Sequence, residues 1–118
     1  MGCPVIHFEI GCKDKGTSGA FYATLFGWRT EPYGPMAMHL HTDSERGIAG
    51  HLTALGHEPH NYVMMYVEVA DVRQAIDKSK ELGGQAIVGP IDLPNGDQFA
   101  WIADPEGTMV GLLRSKSA

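Results

Sequence analysis

The sequence predicts an α+β fold made of two copies of one βαβββ unit, and three observations carry that prediction. The acidic turn Asp43-Ser44-Glu45 and the Gly50 of Ile48-Ala49-Gly50-His51-Leu52 return 61 positions later, as Asp104-Pro105-Glu106 and as the Gly111 of Met109-Val110-Gly111-Leu112-Leu113. Earlier in each half, Phe8-Glu9-Ile10 is answered 59 positions on by Val67-Glu68-Val69, and Leu25-Phe26-Gly27 is answered 57 positions on by Leu82-Gly83-Gly84. Within each half a two-residue alternation gives way to helical spacing and then to further alternating runs.

The first strand is Pro4 to Ile10, with Ile6, Phe8 and Ile10 on one face and Val5, His7 and Glu9 on the other. Thr17 or Ser18 can cap the helix that follows; Phe21 and Leu25, four apart, mark its apolar face, and Gly27 can take the left-handed conformation that ends it. Three strands come next, Trp28 to Tyr33, Met36 to Thr42 and Gly47 to Leu55, with Gly34-Pro35 and Asp43-Ser44-Glu45 as turns. Module 1 therefore covers about 3–55. Periodicity vanishes over 56–61, which is expected to link the copies, and module 2 covers about 62–115. It repeats the order: a strand from Tyr62 to Val69, a helix capped by Asp71 with Val72, Ile76 and Leu82 on its apolar side and Gly83-Gly84 at its end, then strands at Gln85 to Val88, Gln98 to Ala103 and Thr108 to Leu113. Pro94-Asn95-Gly96-Asp97 reads as a tight turn. Each copy alone would leave one sheet face uncovered, so two copies are expected to form a cupped mixed sheet, a half-barrel around a cavity, in a single domain spanning 1–118.

A chain of 118 residues, 43% hydrophobic and 19% charged, suits one compact domain. A net charge of −5 without any Lys/Arg cluster argues against nucleic acid or an anionic membrane as partner, since both are bound through basic patches. No run approaches the ~20 apolar residues of a membrane span, and His7 and Glu9 break the apolar start too early for a signal peptide. The expected compartment is the cytoplasm. Cys3 and Cys12, nine positions apart on one extended run, stand roughly 30 Å apart and are expected to be free thiols, because a disulfide needs its Cα atoms within about 7 Å.

The motifs His7-Phe8-Glu9-Ile10, Ala20-Phe21-Tyr22 to Leu25-Phe26-Gly27-Trp28, Val67-Glu68-Val69-Ala70-Asp71-Val72 and Ala103-Asp104-Pro105-Glu106-Gly107 together resemble the vicinal oxygen chelate superfamily, the group of glyoxalase I, bleomycin-resistance proteins and extradiol dioxygenases. The resemblance covers nearly the whole chain. It implies the glyoxalase-like half-barrel of paired βαβββ modules and, in metal-dependent members, one divalent ion held by up to four side chains from the first and last strands of the modules. Carried onto this chain, those positions fall on Val5 and Met64 in the first strands and on Gly50 and Gly111 in the last. Valine and glycine offer no donor and thioether sulfur favours soft metals, so the divalent site reads as lost. A two-residue slip would restore His7 but bring Tyr66 into the set.

The expected ligand pocket is therefore lined by Val5, His7, Glu9, Gly50, Met64, Tyr66, Glu68 and Gly111, with no metal ligand among them. His7 is the first catalytic candidate, since imidazole exchanges protons near neutral pH; Glu68 is the second, because pseudo-symmetry could bring it near Glu9 and raise one carboxyl pKa. Both glutamates could equally lie in water at strand ends. His39 and His41, two apart on a strand, could clamp a metal with His51, whereas His57 and His60 belong to the link. Trp28, Phe99 and Trp101 could stack on a flat ligand or fill a core, Met36, Met38, Met64 and Met65 could line an apolar pocket, and Gly50 and Gly111 could simply allow close approach of backbones. The function expected is binding of a small organic molecule in the cavity without the family's metal, by a homodimer. The alternative is a lyase, isomerase or dioxygenase using His7, with a divalent ion or as a general base.

Overall fold

A computed structural model describes residues 2–55 and 60–116, which fold as two compact units. The first, His7–Met64, holds β1 (Val5–Gly11) from His7 onward, α1 (Lys15–Phe26), β2 (Arg29–Pro32), β3 (Ala37–His41), β4 (Gly50–Thr53) and the opening residues of β5 (Tyr62–Glu68). The second, residues 2–6 with 65–116, holds the rest of β5, α2 (Val72–Glu81), β6 (Gln85–Asp92), β7 (Gln98–Ala103) and β8 (Met109–Arg114). The predicted order of strand, helix and three strands is present in both.

In the first unit the strand order is β2-β3-β4-β1, with β1 and β4 parallel and the other pairs antiparallel. Alternation along β1 sends Phe8 and Ile10 to the face under α1, where Ile10, Cys12, Leu40 and Leu52 form a core joined by Tyr22, Trp28 and Met38. His7 and Glu9 take the opposite face, as their parity predicts. The helix sits close to the sheet because Gly19 has no side chain: a Cβ there would lie 2.5 Å from Met38 Sδ. Gly19 and Tyr22 therefore set the buried face of α1, and Phe21 and Leu25 point away, 57% and 59% exposed, contrary to the apolar face expected from their spacing.

The α1 cap also differs from expectation. Asp14, rather than Thr17 or Ser18, accepts the Gly16 and Thr17 amides at 2.9 and 3.3 Å, so the helix starts a turn earlier. Gly27 ends it at φ +71° as predicted. Strand β4 is shorter than the predicted Gly47 to Leu55, because Gly47 closes a turn onto the Ser44 carbonyl at 3.4 Å.

In the second unit β5 and β8 run parallel and β7 lies antiparallel between β8 and β6. Val72 and Ile76 of α2 pack on Ala100 and Leu112, and Asp71 caps the helix by accepting the Gln74 amide at 3.0 Å, as predicted. Leu82 lies beyond the helix and is exposed. Strand β6 runs on to Asp92, past the predicted end at Val88, and the turn before β7 closes through Leu93 and Asp97. Cys3 and Cys12 are free, as expected, and burial pushes the Cys12 thiol pKa up. Most of the predicted link, including His57, lies outside the described residues. Among the described residues no helix is long and apolar enough to cross a membrane.

Candidate functional site

The face of the first unit turned away from α1 carries a straight polar row. Glu9 on β1 pairs with His51 on β4, His51 with His39 on β3, and His39 with Glu31 on β2. Cross-strand partners project from the same side of a sheet, so four strands place two imidazoles between two carboxylates.

Within this row the side chains around Glu9 form a continuous hydrogen-bonded chain. His7 Nε2 lies 2.7 Å from His51 Nδ1, with the two rings stacked. His51 Nε2 lies 3.1 Å from Glu9 Oε1, and the Tyr62 hydroxyl donates to Glu9 Oε2. Glu9 is the one charged residue among the buried side chains described, 2% exposed, so its carboxylate relies on these donors in place of water. Tyr62 reaches it because Gly11 leaves room: a Cβ on Gly11 would lie 2.1 Å from the phenol ring.

Burial first, and then the neighbouring His51, push the His7 pKa down to about 4, only partly opposed by Glu9, so His7 is neutral at physiological pH. Burial and the Glu9 bond raise the Tyr62 phenol well above its usual range and keep it a donor. His39 is lowered, chiefly by burial, and its ring stacks on Tyr33 with centroids 4.3 Å apart. His41 bonds Glu31 at 2.9 Å and holds that carboxyl below its ordinary range. His39 and His41 are thus directed to different partners and do not close as a clamp.

The second unit replaces this row with aromatic contacts. Tyr66 pairs with Gly111, Gly111 with Trp101 and Trp101 with Val88. The Trp101 indole N–H donates to the Tyr66 hydroxyl at 2.7 Å, and a Cβ on Gly111 would lie 2.3 Å from the Tyr66 ring. Trp101 is therefore held by Tyr66, on the face opposite Ala100 and Leu112.

Register also redraws the equivalences between the copies. Gly50 pairs with Phe8 and with the buried Leu40, so it faces α1, where a Cβ would lie 2.4 Å from the Phe8 carbonyl oxygen. Gly111 pairs with Tyr66 on the face away from α2. The residue in the first copy that matches Gly111 is thus His51, and Glu9 matches Tyr66, so that His7 matches Met64. By the same register Trp101 matches His39. Of the other pocket candidates, Val5 is 43% exposed, Met64 is buried, and Glu68 is half-buried at the end of β5, its amide donating to the Pro4 carbonyl at 2.9 Å. His7 and Glu9 are brought together; Glu68 falls in the other unit. The sequence reading gave no role to Tyr62 and placed His51 outside the family pattern.

A family metal does not fit the residues so corrected. Two nitrogens on one tetrahedral zinc, each about 2.0–2.1 Å from it, stand about 3.3 Å apart. The His7 and His51 nitrogens are closer and bond each other, and the second His51 nitrogen faces Glu9. Met64 and Gly111 contribute no hard donor. Among the described residues no three His, Cys, Asp or Glu side chains are arranged to hold a metal ion. A cavity of about 270 Å³ lies beside α1, lined by Ser18, Tyr22, Asn61 and Tyr62, among others, so that Tyr62 borders both the cavity and the Glu9 chain.

Comparison with known proteins agrees with this architecture. The family model of a glyoxalase-like domain matches residues 6–113. The putative glyoxylase CFP32 of Mycobacterium bovis and that of Mycobacterium tuberculosis are each 27% identical over 111 residues, covering 88% of this chain and 42% of the relative, so the chain spans less than half the length of these curated relatives. Among solved structures, a Streptomyces coelicolor methylmalonyl-CoA epimerase variant in complex with 2-nitronate-propionyl-CoA superposes with a TM-score of 0.68 at 18% identity, covering 100% of this chain and 98% of the other. The Mn(II)-bound glyoxalase from Novosphingobium aromaticivorans gives 0.69 at 12% identity, covering 97% of this chain and 38% of that one. The structural likenesses show a shared fold: α+β, with two βαβββ modules.

Proposed function

Because the chain belongs to the glyoxalase-like domain family, and its first copy gathers polar groups where its second has aromatic ones, we propose that it binds a small organic molecule on the sheet face bearing His7, His39 and His51, without the family's divalent metal. The observation that carries this reading is the 2.7 Å contact between His7 Nε2 and His51 Nδ1, which engages both nitrogens with each other. The face joins flat rings, Tyr33 and His39, to hydrogen-bonding groups, a combination that suits a planar or carbonyl-bearing molecule. Purified protein is expected to retain no stoichiometric Zn, Ni, Mn or Fe by elemental analysis. Its melting temperature should be unchanged by EDTA. Addition of methylmalonyl-CoA or bleomycin should shift the ring resonances of His7, His39 or His51 equally with and without chelator. A retained metal on which those shifts depend would overturn the proposal.

Catalysis is the second reading. Of the two catalytic candidates, His7 is the one the geometry favours, since it is joined through His51 to a buried carboxylate, the arrangement of a general base with its orienting groups. In this reading the reaction is a proton transfer, as in an isomerase or lyase.

A further inference from the structure

We propose that the cavity beside α1 is a second binding site, for a small uncharged aromatic molecule, and that Tyr62 couples it to the polar sheet face. Its wall belongs wholly to the first unit: Ile10 near the end of β1, Ser18 and Tyr22 on α1, and Asn61, Tyr62 and Val63 where β5 begins.

Ser18 and Tyr22 are four apart on α1 and share one side of it, next to Gly19, whose missing side chain lets the helix settle on the sheet. Tyr22 is fixed there by other rings. Trp28 and Phe26 stack on it with centroids 5.8 and 6.2 Å away, and Phe21 meets it edge-on at 5.2 Å. A wall already held in this way loses little freedom when a ligand arrives. Ile10 and Val63 add aliphatic surface, while the Ser18 hydroxyl, the Tyr22 phenol and the Asn61 amide supply hydrogen-bonding groups.

Size, wall and charge together select the occupant. At about 270 Å³ the cavity is just smaller than the roughly 300–1,000 Å³ of pockets for drug-sized ligands, so it admits one ring with a short substituent. An apolar cavity stays dry and a polar one is satisfied by water, whereas this mixture suits a ring carrying one hydrogen-bonding group. Among the described residues no charged side chain lines the cavity, so an ion would give up its water without gaining a counter-charge. An anion would also lie near the buried Glu9 carboxylate, which sits behind the Tyr62 hydroxyl.

Tyr62 belongs to both sites. Its ring is part of the cavity wall and packs on Gly11, where a Cβ would collide with it, while its hydroxyl donates to Glu9. An occupant that bears on the ring therefore acts on the donor of a buried carboxylate. By linkage, a ligand of the sheet face that moves Glu9 alters the affinity of the cavity in return.

The test is NMR of the chain titrated at pH 7 with phenol, which is uncharged there. Phenol is expected to saturate with a Kd on the order of 1 mM, in keeping with so small a ligand, and its shifts should centre on the amides of Ser18, Tyr22 and Val63. Benzoate and benzylammonium, similar in size but charged, should give no saturable shift at these positions. Val63 is 73% exposed, so Val63→Trp can cover the cavity without entering the core. This variant should bind phenol roughly tenfold more weakly or worse, with the His39 and His41 ring resonances in their wild-type places. In wild type the Glu9 carboxyl carbon resonance should follow phenol saturation, and in Y62F that response should be lost even where phenol saturates. Phenol that does not saturate, that centres its shifts on the sheet face or that binds Val63→Trp as tightly as wild type overturns the site, as does benzoate binding equally well. A Glu9 resonance that ignores bound phenol, or that still responds in Y62F, overturns the coupling. The wild-type titrations decide both points even if a variant fails to fold.

Discussion

Between about pH 4 and 6.5 His7 keeps a neutral ring where an imidazole in water would be protonated, and this links its chemistry to stability. Its folded pKa of about 4 lies below the unfolded value of 6.5. Above about pH 6.5 the ring is neutral in both states and the folded protein loses nothing. Between the two values the unfolded chain binds the proton more readily, so stability falls as pH falls, by at most about 3 kcal/mol once pH is below 4, with solvent contact of a half-buried ring reducing that figure. Urea unfolding at pH 7.5 and at 5.0 is therefore expected to show a drop in wild type that is smaller in His7→Gln. An equal drop in both proteins would mean that another group carries the pH dependence. Legibility at this scale was uneven: alternation along β1 was enough to put His7 and Glu9 on one face, but nothing in the letters sets His51 beside them, since that depends on how β4 slides against β1.

At the level of elements, both helices lie where they were expected, although α1 starts a turn earlier, at the Asp14 cap, and only α2 buries the side that its large apolar residues mark. In α2 the spacing of Val72 and Ile76 points directly at the sheet, because large side chains drive that contact. In α1 the contact is made by an absence, Gly19, which allows Met38 and Tyr22 to fill the interface while Phe21, Leu25 and Phe26 are exposed. A pattern that counts apolar side chains cannot see a glycine that creates a close approach. Ile76→Ala is therefore expected to cost about 2–5 kcal/mol, as for a large core residue cut to alanine, whereas Leu25→Ala should change stability by no more than about 0.5 kcal/mol. Denaturant midpoints measure both, and a Leu25 effect as large as that of Ile76 would show that the exposed side of α1 is covered in solution. Element ends were harder to place, as with β4, which begins only after the chain closes a turn from Gly47 onto the Ser44 carbonyl, a hydrogen bond that propensity does not predict.

For the whole molecule, duplication made the fold legible and at the same time misaligned the site. Turn residues and glycines recur, so they revealed two copies; yet sheet register, which decides which side of the sheet a residue faces, differs from the alignment of letters by one position. Gly50 thus resembles Gly111 in sequence while His51 takes its place in the sheet. Compared row by row, Glu9, His51, His39 and Glu31 in one copy stand where Tyr66, Gly111, Trp101 and Val88 stand in the other. The second copy is built around the empty space over Gly111, which the Tyr66 ring fills and the Trp101 bond locks. Restoring a carboxylate by Gly111→Glu should therefore fail as a route back to a metal site. The new side chain must expel Tyr66, an overpacking cost of about 1–3 kcal/mol, and break its bond to Trp101, while the facing positions gain no further donor. The variant is expected to melt several degrees lower than wild type and to bind no Ni(II) in calorimetry, whereas Gly111→Glu combined with Tyr66→Ala should recover part of the lost stability by vacating the same space. A tight Ni(II) site in the single variant would show that the aromatic pair yields easily, and that the glycine alone separates this copy from a metal-binding one.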